Sequence, residues 1–257
     1  MVFYISGTGN TRWAAEQIAK ATGEDLINIG KIPPAPYQYQ LSEGERIGFC
    51  FPVHGWRPTK IMREFISHLQ IENIEGHYCY ALCTAGDNIG MTMDMLQQDL
   101  TKIGLCANST FSLIMPESYI GLPFMDVDTP GHEKAKIDKA ATELREYIGY
   151  IVGREKEIHR LVIGHWPRIN SLVIGSYFVS HLVTDKPFHV VSEQCVKCGI
   201  CASVCPTGAI TFTGEEPSWK HDGTCLTCFT CYHHCPHHAI EYGKRTKHKG
   251  QYFFGHK

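Results

Sequence analysis

Eight of the twelve cysteines fall between Cys195 and Cys235, and this clustering constrains the chain more than any other feature. They form two copies of one pattern. Cys195-Val-Lys-Cys-Gly-Ile-Cys-Ala-Ser-Val-Cys-Pro-Thr-Gly-Ala-Ile210 matches Cys225-Leu-Thr-Cys-Phe-Thr-Cys-Tyr-His-His-Cys-Pro-His-His-Ala-Ile240 at an offset of 30 residues. Each copy reads C-x2-C-x2-C-x3-C-P. The other four cysteines, Cys50, Cys79, Cys83 and Cys106, are scattered. A secreted disulfide scaffold is usually short and cysteine-rich throughout. A chain of 257 residues with its cysteines packed at one end reads as metal ligation in a reducing compartment. Structural zinc uses two separated pairs, not three thiolates in seven residues followed by a fourth. Two copies are too few for a solenoid. They predict a small pseudo-symmetric domain with two equivalent sites.

The repeated run resembles that of bacterial two-cluster ferredoxins, in which the fourth cysteine of each run ligates the other cluster. The resemblance implies that Cys195, Cys198, Cys201 and Cys235 hold one [4Fe–4S] cluster. It implies that Cys225, Cys228, Cys231 and Cys205 hold the second. Three thiolates on a tight loop can each reach a different iron of one cubane, while the fourth points across to its neighbour. Gly199 and Ala202 leave room for backbone amides near the sulfides. Such a centre implies one-electron transfer. Little apolar core is visible beyond Ile200, Ile210, Phe212, Trp219 and Ile240, so the metal is expected to supply much of the folding energy. Removing iron is expected to unfold residues 187–243 and to leave the N-terminal part folded. His233, His234, His237 and His238 read as a solvated surface beside the second cluster, because the cysteines already account for the metal.

Upstream, short apolar runs alternate with helical patterns. Residues 2–5, 26–29, 47–51, 78–83 and 110–115 are strand-like. Residues 11–21, 60–69, 91–103 and 132–152 follow helical patterns; in the first, Trp13, Ala14, Gln17, Ile18 and Ala21 stand at helical spacing. Strand alternating with helix predicts an α/β fold with a doubly wound, parallel five-stranded sheet. The expected organisation is an α/β domain over residues 1–152, a helical connector over 153–186 and a small α+β cysteine-rich domain over 187–257. Between Arg168 and Asp185 lie sixteen residues without formal charge. A membrane-bound hairpin is one reading of them. A helix packed between domains fits better, given Asn170, three serines and His181. No run of about 18 apolar residues exists, so no spanning helix is expected. The formal charge of −2 argues against nucleic-acid binding. The start of the chain shows no basic segment or cleavage site, which places it in the cytoplasm. The last fourteen residues carry Lys244, Arg245, Lys247, Lys249 and Lys257 without an acid, and read as a solvated basic end.

Three loops carry the remaining chemistry. Ser6-Gly7-Thr8-Gly9-Asn10-Thr11 follows the first strand and opens a helix, where backbone N–H groups and the helix dipole favour an anion. Gly7 and Gly9 permit the tight turn. The loop lacks the Lys-Ser/Thr of a nucleotide-triphosphate loop and lacks G-x-G-x-x-G. It resembles the FMN-phosphate loop of flavodoxins. Pro52-Val53-His54-Gly55-Trp56 follows the third strand. In that family this loop lies beside the isoalloxazine, and Trp56 takes the place of the stacking aromatic. Cys83-Thr84-Ala85-Gly86-Asp87-Asn88 follows the fourth strand and, by the same resemblance, reaches the pyrimidine edge. All three loops sit at carboxyl ends of strands, where open α/β sheets bind ligands. Ile89 and Met91 stand where a second aromatic is common, which argues against stacking from both sides. The whole chain resembles the flavodoxin–ferredoxin fusion proteins of the EFR1 family. That resemblance implies a flavodoxin-like fold joined to a ferredoxin domain, with FMN and two [4Fe–4S] clusters as cofactors. It implies an electron relay between protein donors and acceptors, with oligomeric state open. The alternative is a flavin-dependent reductase of a small molecule, with His54, Cys83 and Asp87 able to handle protons at the flavin edge.

Overall fold

Strand residues alternate between two faces, and in the first half of the chain both faces are apolar, so helices must cover both. The computed structural model, which describes residues 1–33 and 35–256, bears this out. In chain order the first elements are β1 (Val2–Tyr4), α1 (Asn10–Thr22), β2 (Leu26–Asn28), β3 (Tyr37–Gln40), β4 (Ile47–His54) and β5 (Arg57–Pro58). They are followed by α2 (Lys60–Ser67), β6 (Leu69–Glu72), β7 (Cys79–Ala85), α3 (Thr92–Thr101), β8 (Ser109–Ile114), α4 (Pro130–Gly153) and β9 (Ile158–Arg160). Five strands pair in parallel in the order β2-β1-β4-β7-β8, the flavodoxin-like arrangement. The short β9 extends the sheet beside β8 as a sixth parallel strand. The connector therefore begins as an edge strand rather than a helix, held by a 2.8 Å hydrogen bond between Thr110 Oγ1 and His159 Nδ1. A separate parallel pair, β3 with β6, stands off the sheet and brings Tyr39 edge-on to Phe3.

One face of the sheet buries Phe3, Phe49, Phe51, Ala81 and Cys83 against Met62, Phe65 and Ile66 of α2 and Leu96 and Leu100 of α3. The other buries Val2, Cys50, Tyr80, Leu82 and Phe111 against Ala14 and Ile18 of α1 and Leu144 and Tyr147 of α4.

Beyond β9 the connector forms one wide helical stretch: π-helical turns over Ile169–Ile174 and Phe178–Leu182 flank the short α5 (Gly175–Tyr177). Its small residues face inward. Ser171 Oγ donates to the Trp56 carbonyl (2.9 Å) and accepts from the Met91 amide (2.8 Å). Gly175 lies so close to the loop after β4 that a Cβ there would fall 2.0 Å from the Gly55 carbonyl oxygen. The opposite side, with Ile169, Leu172, Val173 and Tyr177, is exposed. The expected packing of this helix thus holds for one face only. Among the described residues no helix is long and apolar enough to cross a membrane.

The cysteine-rich end contains β10 (Phe188–Val190), α6 (Ile200–Ser203), β11 (Ile210–Thr211), β12 (Ser218–Trp219), α7 (Thr230–His233) and β13 (Ile240–Tyr242). β10 pairs antiparallel with β13, and β11 with β12. Each short helix follows a residue in the left-handed region, Gly199 in one copy and Phe229 in the other. The core here is larger than the sequence suggested. Phe188, Phe229, Tyr232 and Tyr242 join Ile210, Trp219 and Ile240, whereas Ile200 and Phe212 are only half-buried. Ile120, from the segment after β8, completes it.

The basic tail is corrected in part. Through residue 256 it folds back onto the first half of the chain; Lys257 lies outside the described residues. Tyr252 is buried and its hydroxyl donates to Asn10 Oδ1 (2.6 Å). The Phe254 amide donates to the Thr8 carbonyl (2.8 Å). Lys249 Nζ donates to the carbonyls of Ile120, Leu122 and Met125, and Arg245 donates to that of Gly121. Backbone oxygens of residues 120–125 receive the head groups of Lys249 and Arg245, while Lys244 and Lys247 stay exposed as a solvated end would be.

Candidate functional site

Parallel strands end together, and the loops that follow β1, β4 and β7 enclose a cavity of about 480 Å³. Ser6, Gly7, Thr8, Asn10 and Thr11 line it from the first loop, Pro52, Val53, His54, Gly55 and Trp56 from the second, and Thr84, Ala85, Gly86, Asp87 and Asn88 from the third. Two singled-out residues lie elsewhere. Gly9, at φ +100°, turns the chain into α1 and backs onto Phe254. Cys83 points into the sheet's core beside Ala81 and Cys79, where burial pushes its thiol pKa up. It stays protonated and out of the cavity.

The first loop can receive an anion. Ser6 Oγ is buried without a hydrogen-bond partner, and α1 carries no acid in its first turn. An unpartnered buried hydroxyl is costly unless a ligand completes it. Asn88 Oδ1, in the third loop, is likewise buried and unpartnered. Thr11 Oγ1 and Thr84 Oγ1 share a 2.7 Å hydrogen bond that ties the first loop to β7. Lys136, from α4, donates to the Gly86 carbonyl (2.8 Å) and pairs with Asp128 (2.7 Å), fixing the third loop from outside. His54 is kept neutral by burial, which lowers its pKa to about 4. The free Ser6 hydroxyl beside the start of α1 fits an anionic group such as the phosphate of FMN, and Asn88 Oδ1 fits a ligand N–H.

The rest of the wall was not visible in the sequence. Glu117, Tyr119, Leu122, Phe124 and Met125 line one side, and Ile174, Tyr177, Phe178 and Leu182 of the connector another. Glu117 Oε1 accepts from the Ser118 and Tyr119 amides (2.9 and 2.8 Å), while burial raises its pKa. Phe178 presses on Gly55 and meets Tyr119 edge-on at 5.1 Å. Residues 117–125 show no helical or strand period that could have announced them.

The cysteines gather in two groups. Cys195, Cys198, Cys201 and Cys235 line one small cavity of about 20 Å³. Burial raises the Cys201 thiol to about 11, and Cys235, Cys198 and Cys195 add to it. Around Cys231, burial again raises the pKa, reinforced by Cys228, Cys225 and Cys205. Four thiols crowded this way resist ionising unless a cation compensates, which is the chemistry of a metal-cluster donor set. Amides are supplied symmetrically. Ala209 N–H donates to Cys205 Sγ (3.3 Å) and Ala239 N–H to Cys235 Sγ (3.2 Å).

The groups differ in exposure. Cys198 is exposed at the surface beside Val196. Cys228 instead lines the 480 Å³ cavity, and a Cβ on Gly7 would fall 3.0 Å from its Cβ and 3.5 Å from its Sγ. No spacing rule placed Thr227 and Cys228 at that wall. The expected solvated histidine surface holds for His237 and His238, which are exposed, and is corrected for His233 and His234. His233 is buried, with Nε2 at 2.8 Å from the Ser118 carbonyl and Nδ1 accepting from the Tyr252 amide. His234 stacks on Phe253 at 4.0 Å.

Comparison with known proteins agrees with the cysteine geometry. Residues 182–240 match the family described as 4Fe-4S dicluster domain. A ferredoxin of Megasphaera elsdenii is 61% identical over 33 residues, covering 13% of this chain and 54% of its own. A ferredoxin-like protein in the nif region of Trichormus variabilis is 35% identical over 48 residues, covering 19% of this chain and 41% of its own. The chain thus spans about half, or less, of the length of these curated relatives. A candidate flavoprotein from Bacteroides uniformis, of solved structure, is 20% identical with a TM-score of 0.35, over 44% of this chain and 88% of its own. That last likeness is too distant to bear on cofactor or function. The repeat and the match together make residues 182–240 a 4Fe-4S dicluster ferredoxin domain, with eight cysteines for two clusters.

Proposed function

We propose that the chain is an electron relay between FMN and two [4Fe–4S] clusters, serving protein donors and acceptors in the reducing cytoplasm. In this reading Cys195, Cys198, Cys201 and Cys235 hold the outer cluster, and Cys225, Cys228, Cys231 and Cys205 the inner one. FMN occupies the cavity at the strand ends, its phosphate on residues 6–11. The observation that carries the reading is Cys228, which belongs to the second cysteine group and also walls the cavity, so near Gly7 that a Cβ there would fall 3.0 Å from its own Cβ. When bound, each cluster exchanges one electron and the flavin one or two. The residues do the rest. Cys198 and Val196 open the outer group to a docking protein. Leu226 packs into the core of the sheet and holds the inner group against the cavity. Phe178, Tyr119 and the connector wall one side of the cavity, and His54 stays neutral there. The overall resemblance to flavodoxin–ferredoxin fusions of the EFR1 family supports the same reading.

Anaerobic redox titration with optical and EPR readout tests it. The protein should carry about eight irons and one FMN per chain, by the dicluster pattern, and three centres should titrate. A reconstituted sample with less than half that iron, or one that releases added FMN freely, would overturn it. A second reading is a flavin-dependent reductase of a small molecule. It is favoured by the apolar wall of Leu122, Phe124, Met125 and Leu182, which a pure relay does not require.

A further inference from the structure

Exposed apolar side chains on this protein are not scattered. Among the described residues, all the large ones except Val152 and Val196 belong to the connector or to Phe124. Trp166 is 75% exposed, Val173 64% and Tyr177 59%, while Phe124 is 83% exposed. Tyr177 and Phe124 both line the 480 Å³ cavity, so they flank its mouth and the apolar surface is continuous around it. Patches of this kind mark an interaction site. The helix cannot lift away to bury them, because Ser171 and Gly175 fasten its other side to the loop after β4.

Charge narrows the occupant. From residue 158 to residue 184 there is no Asp or Glu. Arg168, His165 and His181 are exposed among the apolar residues, and among the described residues Arg168 has no ion-pair partner. Asp87, on the adjoining loop, accepts a hydrogen bond from Asn88. A second copy of this chain is disfavoured. Self-pairing would set Arg168 against the Arg168 of the other copy, with no acid of the connector between them. Aromatic residues at the rim, aliphatic residues between them and an arginine with no acid beside it on the helix are the composition of a helix lying in a membrane interface.

We propose that the connector is a docking face for an anionic lipid surface. The helix lies flat, with Leu172 and Val173 dipping below the headgroups, Trp166 and Tyr177 at their level and Arg168 against lipid phosphate. The cavity mouth then faces the lipid. This docking does not depend on what the cavity binds.

The test is vesicle flotation of the full, cluster-loaded chain, with size-exclusion light scattering in parallel. Unaltered protein should float with vesicles of phosphatidylcholine containing one third phosphatidylglycerol, and at least about fivefold less with phosphatidylcholine alone. Arg168→Glu should lower partitioning on the anionic vesicles at least about fivefold. The double variant Leu172→Ser, Val173→Ser should abolish it while leaving cluster absorbance unchanged. Absence of flotation by the unaltered chain overturns the proposal, as does equal flotation on both vesicle types. A dimer in solution that the serine variant dissociates, without lipid binding, assigns the face to a second copy and overturns it too. The lipid series uses unaltered protein, so its outcome does not depend on how a variant folds.

Discussion

Lys249 is the clearest single handle on the link between tail and cavity. Its ammonium donates to three carbonyls, those of Ile120, Leu122 and Met125, about 125 residues earlier in the chain. Burial pulls its pKa below the usual lysine value, a cost that the three acceptors offset. In Lys249→Met the aliphatic stem keeps its packing and the donors vanish. A hydrogen bond to a charged group contributes about 1.5–3 kcal/mol. The three share one half-exposed ammonium and water can replace part of what is lost, so the loss should total about 2–4 kcal/mol rather than their sum. It should be local, because the two cores of the sheet do not include the tail beyond Phe254. Hydrogen exchange read by mass spectrometry is the assay. Peptides covering residues 117–126 should lose about 30-fold or more of their protection, while those covering β4 and β7 keep theirs. FMN retention should weaken, since Tyr119, Leu122 and Met125 wall the cavity. Unchanged protection over 117–126, or an equal loss across the sheet, would refute the idea that the tail holds this wall in place.

Gly30→Ala should destabilise the junction by about 1–3 kcal/mol, because the new Cβ would lie 2.1 Å from the Pro206 carbonyl oxygen and 2.8 Å from Ile5 Cδ1. Thermal loss of cluster absorbance should then occur at lower temperature than in the unaltered chain, and an unchanged midpoint would contradict the clash. His54, held neutral with a pKa of about 4 against 6.5 when unfolded, contributes stability that is full above pH 6.5 and drains as pH falls toward 4. Urea unfolding of flavin-free protein at pH 5 and 7.5 should show a difference of roughly 1–2 kcal/mol that His54→Gln removes; a difference that survives the substitution would assign it elsewhere. Iron removal should loosen residues 117–126 and the tail along with 187–243, because Ile120 and Tyr252 pack with the cysteine-rich end. Full exchange protection of the tail after chelation would count against that coupling.

The parts of the site that the sequence revealed are those whose chemistry is local. The three strand-end loops needed only the alternation of strand and helix to be placed, and they converge on one cavity. For Cys83 the same logic reaches one step further. It lies two and four residues beyond Ala81 and Cys79, so strand parity puts it on their core-facing side and away from the ligand. Tail and wall were illegible for a different reason. The meaning of Lys249 and Arg245 depends on carbonyls of residues 120–125, and an unpaired carbonyl leaves no mark in a sequence. The connector falls in between. An uncharged run predicts burial, yet only its small residues, Ser171 and Gly175, are fully buried, while Ile169, Leu172, Val173 and Tyr177 are exposed and Phe178 and Leu182 are half-buried at the cavity wall.

The two halves meet where side chains are missing. Gly7 lets the Cys228 loop approach the first strand-end loop, Gly30 admits the carbonyl beside Cys205, and Gly55 with Gly175 lets the connector lie on the loop after β4. At the last two points the opposing group is backbone oxygen, which no rotamer change can move aside. Relative placement is therefore set by direct backbone approach and not by adjustable side-chain packing. A relay that moved its cluster domain to meet a partner would have to break these contacts and strip the cavity of Thr227 and Cys228. A relay with fixed centres needs no such motion. It needs one group of thiolates open to the surface and the other closed against the strand-end cavity, and Cys198 and Cys228 occupy those two positions.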